Sequence, residues 1–530
     1  MLKAGDKQSS FYDVDYVCER LISADSFYRK FREVVHPLLD DEQFQSMYCR
    51  DNGRPAISPA LLAMTTILQF YRNLSDREME RSCMYDIEIK YALGLRLDER
   101  PFDHSSLGDF RKRLLENGKE KKIFDTILGH LVERKLIKKN EIQRIDATHV
   151  IADLAIPTMV TLVKKGISEI LKPLQKRHGE IIKKLENEIT MGEYTREAIN
   201  HEDQGRMDME KKKRKLVEVV AHARKVLEHT KDIKNDRYLE KCVGLLKRIL
   251  RENITEDDGV PKELDRKEKP KDILVSPIDT DARYGAKSDT KKFTGYKANV
   301  TETVKSRFIT NIKAMRGNLH DGNTAVETIT EQKPIGILPK KVIGDTAYGE
   351  ALIRKDLKEN ATQMVAPLKA RNTRTQAVYP KSMFRYDEEK HTLKCPQGIT
   401  TKMSYMDRQK NITMYHFPMT ACNQCPVQKK CTNDKDGRRT VGMSPLYDEL
   451  RKAEKYNQTQ QFKKDMRLRP PIEGTISELT RYHGLRRTRY RGLNKVNLQC
   501  YFTAAAVNIK RWIKILLEGM RPKVPSMAAA

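Results

Sequence analysis

The sequence predicts an α/β protein: strands of one sheet, interrupted by long excursions and preceded by a helical region. Three observations carry this. Helical periodicity dominates residues 1–140 and 160–255. Runs rich in β-branched residues recur at 141–150, 293–301, 307–312 and 341–345. A polar stretch at 367–462 holding four cysteines then breaks the strand-then-helix order.

Composition narrows the class. At 530 residues the chain is too long for one core, so several domains are expected. The 38% hydrophobic and 33% charged fractions fit a soluble globular protein. A net charge of +28 points to a polyanionic partner, nucleic acid or an acidic membrane surface. No stretch approaches the roughly 18 apolar residues of a spanning helix, and the N-terminus lacks a signal-peptide pattern. A cytoplasmic, reducing location is therefore expected, in which the nine cysteines serve as thiols or metal ligands.

In order, Ser58-Pro59 reads as a cap and first-turn proline for an apolar helix. Arg72-Asn-Leu breaks it, and Ser75 with Glu78 forms a capping-box signal for the next. The pair reads as a helix-turn-helix or as a plain helical hairpin. Asp103 and His104 open another helix, with His104 read as a cap-region residue rather than a ligand. Glu141–Val150 reads as a strand, with Asp146 and Thr148 on one face and His149 on the other. A carboxylate there is costly to bury unless paired or metal-bound; otherwise Asp146 caps the next turn.

Residues 160–255 carry three apolar stripes, around Ile167, Val219 and Leu246, which predict a small helical bundle with Cys242 in its core. The basic run Lys211–Lys215 is a solvated face that can also touch phosphate. Residues 252–272 read as a linker. Strands 293–301 and 307–312 read as a hairpin-like pair, followed by a helix from about Thr324. A short strand then ends on Asp345, which either caps the following helix or faces outward as a ligand. Cys395, Cys422, Cys425 and Cys431 fit a structural zinc site, an iron–sulfur cluster, or free thiols.

The segment 467–492 closes the pattern. Pro470 and Pro471 open a helix; Ile472, Ile476 and Leu479 form its buried face. Glu473 falls in the first turn, where the helix dipole favours its ionised form. Arg481, Arg486, Arg487, Arg489 and Arg491 follow, with Lys495 beyond. A carboxylate beside guanidinium groups is a candidate metal ligand next to a phosphate-binding surface; the alternative is a solvated basic helix. A final apolar helix carries Trp512, and a tail is expected from Pro522.

Asp146, Asp345 and Glu473 are far apart, so only a fold can unite them. Two-metal phosphoryl chemistry needs such a set of carboxylates. The order strand–strand–strand–helix–strand–helix–strand–helix is that of a ribonuclease H-like core. The chain then divides into a helical N-terminal domain (1–140), expected to bind DNA on the resemblance given below, and a first core part (141–366) with a helical insertion (163–272). A cysteine-containing insertion (367–469), the last core part (470–520) and a tail (521–530) follow.

Several motifs share a resemblance. These are GRPAISPALLAMTTIL and HSSLGDFRKRL, RIDATHV, DTDARYG, KFTGYKANV, NLHDG, VIGDTAYG, CNQCPVQKKC and RPPIEGTISELTRYHGLRRTRYRGL. Together they resemble the DDE transposases of bacterial insertion sequences over nearly the whole chain. They are most similar to the group numbered eleven eighty-two, with an InsH-type N-terminal domain. The resemblance implies Asp146, Asp345 and Glu473 as catalytic ligands of two Mg²⁺ (or Mn²⁺) ions. It also implies double-stranded DNA, both element ends and target, as partner, a homodimer in the DNA complex, and a prokaryotic, nucleoid-associated location. The expected activity is DNA cleavage and strand transfer. Arg469, Arg481, Arg486, Arg487, Arg489, Arg491 and Lys495 are the expected DNA-binding residues. Related transposases place a Tyr, an Arg and a Lys around the Glu; here Arg469 matches, while Met466 and Thr480 occupy the Tyr and Lys places and Arg481 is adjacent. Asp281, Asp321, Glu350 and Glu478 are expected to be structural. The alternatives are an inactive relic that only binds DNA, or a metal-dependent nuclease that does not join.

Overall fold

The computed structural model describes residues 11–49, 55–154, 158–204, 209–287, 290–369, 379–387, 389–408 and 411–520. The tail read from Pro522 lies outside them. The chain divides into two units, 1–338 with 470–530, and 339–469. The fold is mixed α/β with about half of the residues helical.

In the first unit the strands are β1 (Gln143–Ile151), β2 (Ile254–Asp257), β3 (Val260–Glu263), β4 (Arg283–Ala286), β5 (Lys292–Thr303) and β6 (Ile309–Arg316). β5 is the centre of its sheet. β1 runs antiparallel along one side, from Gln143 opposite Thr303 to Ile151 opposite Gly295. β6 runs antiparallel along the other, with a register shift at Thr301/Glu302, and β4 pairs with the first residues of β5. Gly295 has φ +147°, and a Cβ there would stand 2.3 Å from the Val150 carbonyl oxygen. Only glycine lets β5 pass that close to β1.

The long helix Leu493–Met520 covers β6 with side-chain amides. Asn508 accepts from Ile309 N–H and donates to Ile309 C=O, both at 2.8 Å. Asn497 accepts from Ala314 N–H at 2.7 Å. Backbone groups of an edge strand are thereby satisfied without another strand. The same helix packs on Pro59–Arg72 and Lys122–Glu133, with Phe70 stacked on Phe502 and Phe124 on Tyr501. The N-terminal helices thus share one apolar core with the sheet.

Helix ends follow the local signals. Ser58 caps through Leu61 N–H, and Ser75 and Glu78 form the reciprocal capping box. Between them Asn73 takes a left-handed conformation that stops the first helix. Asp103 caps through Ser105 N–H.

The helices over 159–253 form a second apolar core, in which Ile167, Val219, Cys242 and Leu246 are buried together. The reading of 252–272 as a linker is corrected: β2 and β3 form an antiparallel hairpin there. Its turn is Asp258-Gly259, both at positive φ, the pairing that two-residue hairpins favour.

The second unit contains β7 (Lys341–Ile343) and β8 (Gln363–Val365), which are parallel and joined through the helix Ala351–Glu359. Buried Arg354 fastens this crossover by donating to the carbonyls of Gly349, Met364 and Ala366. Burial pulls its guanidinium down to about 10. Two small antiparallel sheets follow, around a core of seven buried residues that includes Phe384, Tyr415 and Tyr447.

Candidate active site

Asp146 lies midway along β1, opposite Val300. It is half-buried, and its Oδ1 accepts from Ala147 N–H at 2.9 Å. Beneath it in sequence, Arg144 is buried and donates to Oε1 of Glu302, a carboxylate with no exposure on β5.

Glu473 is exposed in the first turn of the helix Pro471–Arg481, which begins on Pro471. The opposite face buries Ile472 and Leu479. This helix packs on β1, so the elements bearing Asp146 and Glu473 are neighbours. What fixes the helix is Glu302 again. Thr475 donates to Glu302 Oε2 at 2.5 Å, and Arg511 reaches both Glu302 and Thr475. Arg307 donates to the Pro471 carbonyl and to Thr475 at 3.1 Å. Glu478 faces the C-terminal helix, where Lys510 and Arg511 bond it. Burial pushes its carboxyl up, but those two cations outweigh burial and hold it below the usual carboxylate range.

The arginine loop that follows is bound to the end of β1. Ile151 N–H donates to Arg486 C=O, and Thr488 N–H donates to Ile151 C=O, both at 2.9 Å. The turn into the loop uses Gly484 at φ +71°, where a Cβ would strike the Asn73 side chain. Arg486 donates to His149 Nε2 at 2.8 Å and to its carbonyl at 2.9 Å. Arg only donates, so Nε2 is the bare acceptor and the ring is neutral with its proton on Nδ1. Burial, then the charges of Arg486 and Lys287, push this imidazole down to about 4. Arg489 bonds Asn73 and the Leu74 carbonyl and lies over Phe70.

Within the arginine burst, Arg486 and Arg489 hydrogen-bond to the protein itself. Arg481, Arg487, Arg491 and Lys495 are exposed. Thr480, at the expected Lys place, is buried and bonds back to its own helix, whereas Arg481 beside it is exposed.

Sequence reasoning missed Asp279, Tyr296 and Glu302. Asp279 is buried, accepts from Tyr296 Oη–H at 2.5 Å, and bonds Gly492 N–H at 3.2 Å. Asp281 bonds Leu493 N–H at 3.0 Å and Arg316 at 3.2 Å. The DTDARYG motif thus ties the start of the C-terminal helix to the sheet. Asp321 likewise bonds Lys297. The available signal for Asp279 was two acids one residue apart just before a strand.

Asp345 belongs to the second unit, beyond the end of β7. Its Oδ1 accepts from Ala347 N–H at 2.8 Å, capping a tight turn, and its Oδ2 lies 3.8 Å from Arg469 Nη2. The side chain is 41% exposed, so the cap leaves one oxygen toward solvent. Arg469 is thus engaged beside an acid.

Cys395, Cys422, Cys425 and Cys431 line one small cavity, and none is in a disulfide. Cys425 N–H bonds Cys422 C=O, and Gly398 N–H bonds Cys395 C=O, so each end presents its thiol from a tight turn. Burial pushes the Cys431 thiol up; Arg439 opposes this, and the other three cysteines add to it. Among the described residues, no three of these sulfurs lie within 4.8 Å of one another. Among the described residues, the group of three ligand-type side chains with donor atoms within 4.8 Å of one another is Glu80, Asp103 and His104. There His104 lies 3.2 Å from Glu80 and 3.4 Å from Asp103, with Arg100 3.8 Å from Glu80, an ion cluster at a helix cap.

Two family profiles match the chain. Residues 394–513 match the family described as Transposase DDE domain, and residues 16–113 match that described as Transposase domain (DUF772). Together they indicate a transposase of the DDE type. The first match spans the cysteines, Glu473 and the arginine loop, and stops short of Asp146 and Asp345. Neither a curated protein nor a solved structure matches.

Proposed function

We propose that the chain cleaves DNA at the ends of an insertion sequence and joins the freed end to target DNA. The observation that carries this is the helix of Glu473, inside the segment similar to transposase DDE domains, packed on the strand of Asp146. In this reading the sheet and the β7–β8 crossover form a ribonuclease H-like core, and Asp345 is the third acid.

Asp146, Asp345 and Glu473 offer hard oxygen ligands with solvent access, which suits Mg²⁺ or Mn²⁺. Two such ions, when bound, activate an attacking oxygen and neutralise charge on the leaving oxygen. The protein's part is placement. Glu302 and Arg511 hold the Glu473 helix, and Arg486 holds the arginine loop against β1. Arg481, Arg487, Arg491 and Lys495 present cations to backbone phosphates, with affinity that falls steeply with salt. The exposed residues Arg77 and Arg81 of the helix after Asn73 suit groove contacts. Acting on two ends calls for two copies of the chain. The four cysteines would hold a structural Zn²⁺.

The test is incubation with DNA carrying element ends and Mg²⁺, comparing wild type with Asp146→Ala, Asp345→Ala and Glu473→Ala. Each substitution abolishes cutting while DNA binding survives. If cutting persists after one substitution, that acid is misassigned. A pre-cleaved end with a 3′-hydroxyl that is never joined makes the protein a nuclease. Wild type that binds without cutting makes it a relic.

A further inference from the structure

A groove of about 1500 Å³ lies between the helical insertion and the end of the sheet. Its walls are the starts of the helices Met159–Arg177 and Met209–His229, the β2–β3 hairpin with the segment after it, and the edge formed by β4 and the start of β5. This volume exceeds the roughly 300–1,000 Å³ of small-molecule pockets and leaves room for a stretch of polymer.

The lining has two parts. Seven cations face two carboxylates around it. Lys212, Arg266, Lys271 and Lys292 are exposed and pair with no carboxylate among the described residues. Beside these cations stands one open ring, Tyr284, which is 46% exposed. It shares a face of the β4–β5 pair with Lys292, whereas Phe293 lies over Gly285 on the other face.

We infer that this groove binds an unpaired DNA strand; the inference rests on the nucleic-acid reading given above. A duplex hides the faces of its bases and can use only the cations. An unpaired strand uses both parts, phosphates on the lysines and a base stacked on Tyr284. The exposed ring beside the cations selects the single strand.

The test is equilibrium binding of the full-length protein to a labelled oligothymidylate and to a blunt duplex of equal length, over a salt series. The variants are Lys212→Glu/Lys271→Glu/Lys292→Glu and, separately, Tyr284→Ala. The triple variant loses single-strand affinity at least about tenfold, and its salt slope falls by at least about two. Tyr284→Ala loses at least about fivefold, since one stacked base is removed. Duplex affinity changes by less than about twofold in both, because the arginine loop is intact. Unchanged single-strand binding, or equal losses on the two probes, overturns the groove and leaves the proposed function standing. Wild type that binds neither probe overturns both. Polyglutamate binding as tightly as oligothymidylate overturns the groove as a DNA site and makes it a protein site.

Discussion

Asp146 and Glu473 stand on elements fastened by buried charge, whereas the cysteine module of the second unit rests on a small apolar core. In the first unit Glu302 is fully enclosed, with Arg144, Arg511 and Thr475 around its carboxylate, inside a core that runs from Phe31 to Ile513. In the second, the cysteine module has, among the described residues, seven buried apolar residues and four half-buried thiols. The difference teaches how placement scales with core. A thick core can enclose an ion pair and use its geometry to fix a helix. A thin core needs a cross-link of another kind.

The largest expected effect therefore falls on the cysteines. Cys431→Ser, or chelation of wild type, leaves the module over 379–447 open to protease while the first unit stays protected. Structural zinc contributes on the order of 10 kcal/mol to small folds, a large share of what holds so small a module together. Limited proteolysis with metal analysis reads this. Wild type that carries no metal and ignores chelator removes the contrast between the units.

The next effect tests the opposite side. Glu302→Gln leaves Arg144 and Arg511 facing a neutral group, and breaking a buried pair costs about 3–5 kcal/mol. The urea midpoint of the first unit falls accordingly, and cutting falls with it because the Glu473 helix is no longer fixed. A midpoint unchanged within about 0.5 kcal/mol would show that the packing of Ile472 and Leu479 alone holds the helix.

A smaller effect is expected at Asp272. Buried Arg283 bonds it, as does Arg248, and Asn318 adds a third donor. Above all the Arg283 bond, against burial, holds its carboxyl down at about 2. The stabilisation is present above the unfolded carboxyl value near 3.8 and is lost as pH falls through about 2. The side chain is 50% exposed, so screening limits Asp272→Asn to about 1 kcal/mol. Urea melts from pH 5 down to about pH 2 compare the two chains; they converge at the acid end.

Much of this comparison was legible in the sequence. Ser58, Ser75 with Glu78, and Pro471 mark their helices because caps and first-turn prolines act within four residues. The apolar stripes around Ile167, Val219 and Leu246 predict their bundle because a helical face must be buried somewhere. The β2–β3 hairpin was hidden by its charge: ITEDDGVPKE reads as a linker, although Asp258-Gly259 carries the turn. Glu302 and Asp279 were hidden because a buried acid is defined by partners 158 residues away in one case and 213 in the other. The arginine burst was legible as charge. Which guanidinium groups face inward was not, since that depends on His149, Asn73 and Phe70 arriving from distant strands and helices.

The smallest effect isolates that last point. With His149 held at about 4 in the fold and titrating near 6.5 when unfolded, the unfolded chain binds the extra proton between those values. Stability therefore rises with pH from about 4 to 6.5 and gains nothing further above. His149→Asn keeps an acceptor for Arg486 but cannot take the proton, so this part of the pH dependence disappears while stability near pH 7 changes little. Partial exposure of the ring keeps the slope shallow, and NMR titration of the His149 ring is the sharper reading. A midpoint near 4 means that Arg486 is held at β1 and is not available to phosphate. A midpoint near 6.5 would free Arg486 for DNA and make the loop one continuous basic surface, erasing the division between its inward and outward arginines.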